Sequence, residues 1–98
     1  MNQIPAFQLR PEPLTPEAAG LPPFRSADPE IGTRHRLGGE ASFVGTDQYP
    51  RCDSCSETMT FYGQLDSVGD DFALADAGVV QVFVCFDCFT SEAVIRSS

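Results

Sequence analysis

Four cysteines are the residues whose type and spacing can do chemistry in this 98-residue chain: Cys52 and Cys55, then 29 residues, then Cys85 and Cys88. A C-x-x-C turn presents two thiolates from one tight loop. Two such turns complete the tetrahedral shell of a zinc ion, with sulfur at about 2.3 Å. The pattern predicts one structural Zn2+ on Cys52, Cys55, Cys85 and Cys88. The same ligands also suit another soft metal or an iron–sulfur cluster. Two disulfides would serve in an exported protein, and two separate redox motifs would need a βαβ pattern that the sequence lacks. Four thiolates close the shell, whereas a catalytic zinc keeps a position open for water or substrate. Gly often follows the second cysteine of such turns. Here Ser56 and Phe89 stand there, Ser56 suited to support its turn and Phe89 to anchor its loop in the core.

Outside the cysteines the chemistry is sparse. His35 is the sole histidine, set between Arg34 and Arg36 in a loop-like stretch, and a structural role paired to a carbonyl or carboxylate is expected. The competing reading is a small enzyme in which Arg34, His35 and Arg36 hold an anionic substrate beside Gly38-Gly39. No Ser-His-Asp order, P-loop or dinucleotide fingerprint accompanies it. Asp70-Asp71 reads as a solvated loop tip. The chain therefore reads as a non-enzyme.

Charge narrows the partners. Between Cys52 and Ile95 lie eight acids and no basic residue, and the remainder carries six of each. The whole formal charge of −8 thus sits in the cysteine-bearing half. Nucleic-acid affinity rests on neutralising phosphates with Lys and Arg, so the charge argues against a nucleic-acid-binding ribbon. No signal-peptide pattern opens the chain, and no run approaches the roughly 20 apolar residues of a membrane span. A cytoplasmic protein without membrane contact is expected, in a compartment where cysteines bind metal more often than they pair.

These ligands need elements to hold them. Thr58–Asp66 alternates, placing Met59, Phe61 and Leu65 on one face, and Val79–Cys85 is a β-branched and aromatic run suited to a strand buried on most of both faces. If the two pair antiparallel, both cysteine turns arrive at the same end. Gly38-Gly39 reads as a turn needing positive φ. Ser67–Gly78 reads as a long acidic loop whose Phe72 and Leu74 fold back as a lid, and Ser91–Ser98 as one helical turn or a frayed tail. Seven of eight prolines fall within residues 1–30, favouring an extended arm, docked or loose, with a helical turn capped by Thr15. The expectation is a β-dominated antiparallel fold with a four-cysteine ribbon over residues 31–98, preceded by a Pro-rich arm over 1–30.

Four segments carry a resemblance: HRLGGEASFV (35–44), the first cysteine pair, MTFYGQLDS (59–67) and DAGVVQVFVC (76–85). Together they resemble the YwqG-like family of bacterial domains of unknown function, over roughly residues 34–90. A more distant similarity is to the eukaryotic programmed-cell-death protein 2 family. Members of the first are usually much longer, which makes this a trimmed version, and Ala41 stands where they often have Pro. The resemblance implies a β-dominated interaction domain, either an immunity protein or a client-binding one, with no catalytic residues to carry over.

The functional expectation is a zinc-stabilised protein-interaction module whose acidic face meets a basic protein partner. Asp66, Asp70, Asp71 and Asp76 are its candidate contacts, with Phe72 as an anchor. The alternative is a zinc- or thiol-based redox sensor.

Overall fold

The strand Val79–Cys85 (β4) is the centre of the protein, because alternate residues Val79, Gln81, Phe83 and Cys85 are all buried while Val80, Val82 and Val84 are half-buried. The computed structural model describes residues 3–22, 30–75 and 77–97. Around β4 lie β1 (Phe7–Gln8), β2 (Arg36–Leu37), β3 (Thr60–Asp66) and β5 (Thr90–Arg96). They form one five-stranded sheet in chain order, with each neighbouring pair antiparallel. Only the β4–β5 connection is tight, but no crossover has to be closed because the strands lie in chain order.

Expectation and structure part in three places. The tail is neither helical nor frayed: Thr90–Arg96 pairs with β4 along its whole length. Only its outward alternation of Ser91, Ala93 and Ile95 carried a strand signal, and Ala and Glu weaken it. In β3 the pairing passes from Phe61↔Phe83 to Gly63↔Val82, so Tyr62 is an extra residue in a β-bulge. The bulge reverses the alternation after Phe61, because one unpaired residue shifts every later side chain to the other face. Gln64 and Asp66 become buried and Leu65 is 51% exposed, opposite to the expected facing of Leu65. Finally, β4 is fully buried on one face only, its three valines being half-buried.

The inner face of the sheet is closed by segment 38–50. Tyr49 packs on Phe83 and Phe61, with ring centroids 5.1 and 6.4 Å away, and the Phe61–Phe83 pair lies at 5.6 Å. The tilted geometries suit the ring quadrupoles. Beside this cluster two buried amides tie the segment down: Gln64 Nε2 donates to Arg34 O and Ser42 Oγ at 2.9 Å, and Gln81 Nε2 donates to Ser42 O at 2.7 Å.

The arm is docked through β1. Gly38 and Gly39 have φ of +74° and +76°, as the sequence required, and they admit the arm closely. Gly39 N donates to Ile4 O at 2.7 Å, and a Cβ on Gly38 would stand 2.5 Å from Pro5 O. The expected helical turn is present as α1 (Pro16–Ala19), where Ala18 N donates to Thr15 Oγ1 at 3.1 Å. Pro23, Phe24 and Pro29 of the arm lie outside the described residues.

Candidate metal centre

Each cysteine pair sits in a hairpin, and the sheet brings the two hairpins together. The second pair is itself the β4–β5 connection, with Cys85 paired to Thr90 across it. The first is closed by the Arg51↔Thr58 bridge and by Cys52 N donating to Glu57 O at 2.9 Å. Thr60 pairs with Val84, so the start of β3 and the end of β4 lie together and both turns share one end of the sheet.

The turns are close repeats of each other. Ser56 N donates to Cys52 O at 2.8 Å, and Phe89 N donates to Cys85 O at 2.8 Å. Ser56 and Phe89 adopt φ of +63° and +56°, the left-handed region where Gly is usual. The geometry of the knuckle is thus kept without its glycines. Phe89 does not anchor its loop in the core; it is 81% exposed, because the left-handed backbone turns its side chain outward.

All four Sγ atoms lie within 4.8 Å of one another. A tetrahedron with Zn–S of about 2.3 Å has edges of about 3.8 Å, and Cys55 Sγ lies 3.7 Å from Cys85 Sγ. All four are free thiols rather than disulfide-bonded. The donor set therefore fits one soft divalent ion shared by both turns. Cys52 and Cys85 are buried, Cys88 is half-buried and Cys55 is exposed, which places the site at the rim.

The electrostatics favour a cation. Thr90 Oγ1, 3.3 Å from Cys52 Sγ, stabilises its thiolate, and the amides of Cys55 and Ser54 add to this, lowering Cys52 to about 6. Cys88 is pushed up to about 12, first by Cys55, then by Cys52 and burial. For Cys55 the Glu57 amide favours the thiolate, but burial and the Cys85 and Cys52 thiols outweigh it and the group is raised. Four thiols packed this closely cannot all ionise unless a metal cation neutralises them.

The structure does not unite the expected partner contacts. Asp66 is 2% exposed, so it is not a surface contact. Its carboxylate accepts from Arg34 Nε and Nη2 at 2.7 Å and from the amides of Gly32 and Arg34 at 2.8 and 2.9 Å. Burial raises Asp66, and the Arg34 guanidinium with the Arg34, Gly32 and Ser67 amides outweighs it, leaving the carboxyl below its ordinary value. Arg34 Nη2 also donates to Ala77 O at 2.6 Å, closing the base of the acidic loop. Asp70, Asp71 and Phe72 are exposed on that loop; Phe72 does not fold back, and of the two expected lid residues only Leu74 is half-buried. Asp76 lies outside the described residues.

His35 is buried beside β2, and its Nδ1 accepts from Asp66 N at 3.1 Å, not from the expected pairing with a carbonyl or carboxylate. Arg36 Nη2 donates to Glu40 O and Ser42 Oγ at 2.6 and 3.0 Å. These contacts hold Arg34, His35 and Arg36 in the fold, and all three line one open groove of about 520 Å³ with Phe7, Glu30 and Thr33. The residues that sequence reasoning missed are Thr90 and the Arg34–Asp66 clamp. Thr90 is found only once β5 is known to pair with β4, and Asp66 only once the bulge has turned it inward.

No protein-family model matches the chain, and no solved structure matches it. One curated relative does. The chain is 32% identical over 81 residues to the uncharacterized protein YpfL of Salmonella typhimurium, a match covering 80% of this chain and 18% of YpfL. The chain thus spans less than one fifth of that relative's length. Among the described residues no helix is long and apolar enough to cross a membrane.

Proposed function

We propose that the chain is a non-catalytic protein-interaction module, held together by one structural Zn2+ on Cys52, Cys55, Cys85 and Cys88. The observation that carries this reading is the four-thiol donor set, closed by two matching turns. Such a shell leaves no coordination position for water or substrate, so the ion's role is to fix the fold.

The partner is a basic protein, met by the exposed acids Asp70 and Asp71 with Phe72 beside them. A chain of formal charge −8 accelerates encounter with a basic surface and repels phosphate backbones. The resemblance of residues 34–90 to YwqG-like domains makes an immunity-like or client-binding role the natural setting. The test is affinity capture on the zinc-loaded chain, comparing wild type with Asp70→Asn/Asp71→Asn. A basic protein held by wild type should bind at least tenfold more weakly to the double variant. Unchanged capture removes the loop from the interface.

The exposure of Cys55 favours a second reading, a thiol sensor that releases its metal on oxidation. It requires zinc release by mild peroxide at doses that leave a fully buried four-cysteine site loaded.

A further inference from the structure

Every charge on the five strands falls on one side of the sheet. The registers place Arg36, Gln64, Gln81 and Val94 in one row, Asp66, Val79 and Arg96 in a second, and Phe61, Phe83 and Glu92 in a third. These rows belong to the inner face that buries Phe61, Gln64, Asp66, Val79, Gln81 and Phe83. The other face is built from Phe7, Leu37, Gly63, Val82 and Ala93 in a central row, flanked by Leu65–Val80–Ile95 and by Thr60–Val84–Ser91. No charged residue is among them.

This face is open. Phe7 and Ile95 are each 54% exposed, Leu65 is 51% exposed, and the three valines of β4 are half-buried. The Tyr62 and Phe86 rings, both also exposed, stack at 6.3 Å between the β3 bulge and the second cysteine turn. The bulge sharpens the anomaly, since it turns Leu65 outward and the polar Gln64 and Asp66 inward. A sheet face meant for water would carry the reverse pattern.

We propose that the outer sheet face is a self-association surface, on which a second copy of this chain packs face to face as the other half of a β-sandwich. Charge selects this occupant. The chain carries −8, so a surface made for the basic partner needs acids, and this face offers none. Two copies related by a two-fold axis match apolar face to apolar face, while the strand charges of each point away from the other. The area is sufficient for a weak dimer. Three strands of seven residues and two of two, at about 3.3 Å per residue and about 4.8 Å between strands, give roughly 800 Å² for the pair, the range of weak, transient association. Neither the acidic loop nor any of the four cysteines lies on this face, so the dimer stands or falls separately from the proposed function.

Sedimentation velocity on the zinc-loaded full chain tests it across a concentration series. Wild type should convert reversibly from monomer to dimer, and more readily at high salt, because like-charged chains are then screened. Leu65→Glu and Ile95→Glu, at sites half-exposed in the single chain, should each weaken the dimer at least tenfold. Their zinc content and circular dichroism should match wild type. A wild type that stays monomeric at its highest soluble concentration overturns the proposal. So does a dimer that dissociates with salt, or one that survives both substitutions, since it would then pair through the β5 edge or elsewhere.

Discussion

Phe89 shows how far a single residue is bent to the needs of the site. Its φ of +56° lets the Phe89 amide reach Cys85 O, yet the ring gains nothing, being 81% exposed. A left-handed conformation costs a residue with a Cβ about 1 kcal/mol, so Phe89→Gly should raise stability by about that much. A higher urea midpoint with unchanged zinc content checks it. Asp66 carries the opposite weight. Removing one partner of its buried pair with Arg34, as in Asp66→Asn, should cost about 3 kcal/mol at neutral pH. Its folded pKa lies below the ordinary value of 3.8, so this stability is present above that value and lost as pH falls through the lowered one. The gap between wild type and Asp66→Asn in urea midpoint should therefore narrow as the pH drops below about 4. The narrowing is read over the pH range in which native mass spectrometry shows both proteins still holding their metal, because metal release would itself unfold them.

At the scale of elements, close backbone approach decides where the arm lies. Gly38 combines a φ of +74° with Ile4 O and Pro5 O at 2.6 and 2.5 Å from where a Cβ would stand. Gly38→Ala must push the arm off or strain the turn, with a loss of more than about 1 kcal/mol. Limited proteolysis should then cut within residues 3–9, which β1 pairing and the Gly39–Ile4 hydrogen bond protect in the wild type. The bulge at Tyr62 and the pairing of β5 belong to the same scale. Strict alternation in TMTFYGQLD places Met59, Phe61 and Leu65 together, and nothing local reveals that one residue steps out of register. Register belongs to two strands at once, so it escapes a reading of either one.

For the whole molecule the proposed zinc ion would dominate stability. Structural zinc in small sites contributes on the order of 10–16 kcal/mol, comparable to or above the entire 5–15 kcal/mol of a small domain. Strong chelation should therefore abolish the sheet's circular dichroism together with the loss of one zinc per chain in native mass spectrometry. Cys55→Ser should do the same. Cys55 is exposed, and an exposed residue without such a role changes stability by less than about 0.5 kcal/mol when replaced. Retention of fold and metal by Cys55→Ser would leave a three-thiol shell and reopen the question of an open coordination position.

The four-cysteine cluster, the strands β3 and β4 and the Gly38-Gly39 turn were determined by the sequence alone. Each rests on a local signal: ligand spacing, apolar run or glycine pair. A C-x-x-C turn brings its thiols together wherever it sits, and a β-branched run such as Val79–Val84 has few other homes. Tertiary structure alone decided the rest. It set the inward turn of Asp66 onto Arg34, the placement of Thr90 against Cys52 and the separation of all strand charges onto one face. Each of these depends on which residue of a distant strand lies opposite, and hydrogen-bond register between strands is fixed only when the whole sheet closes.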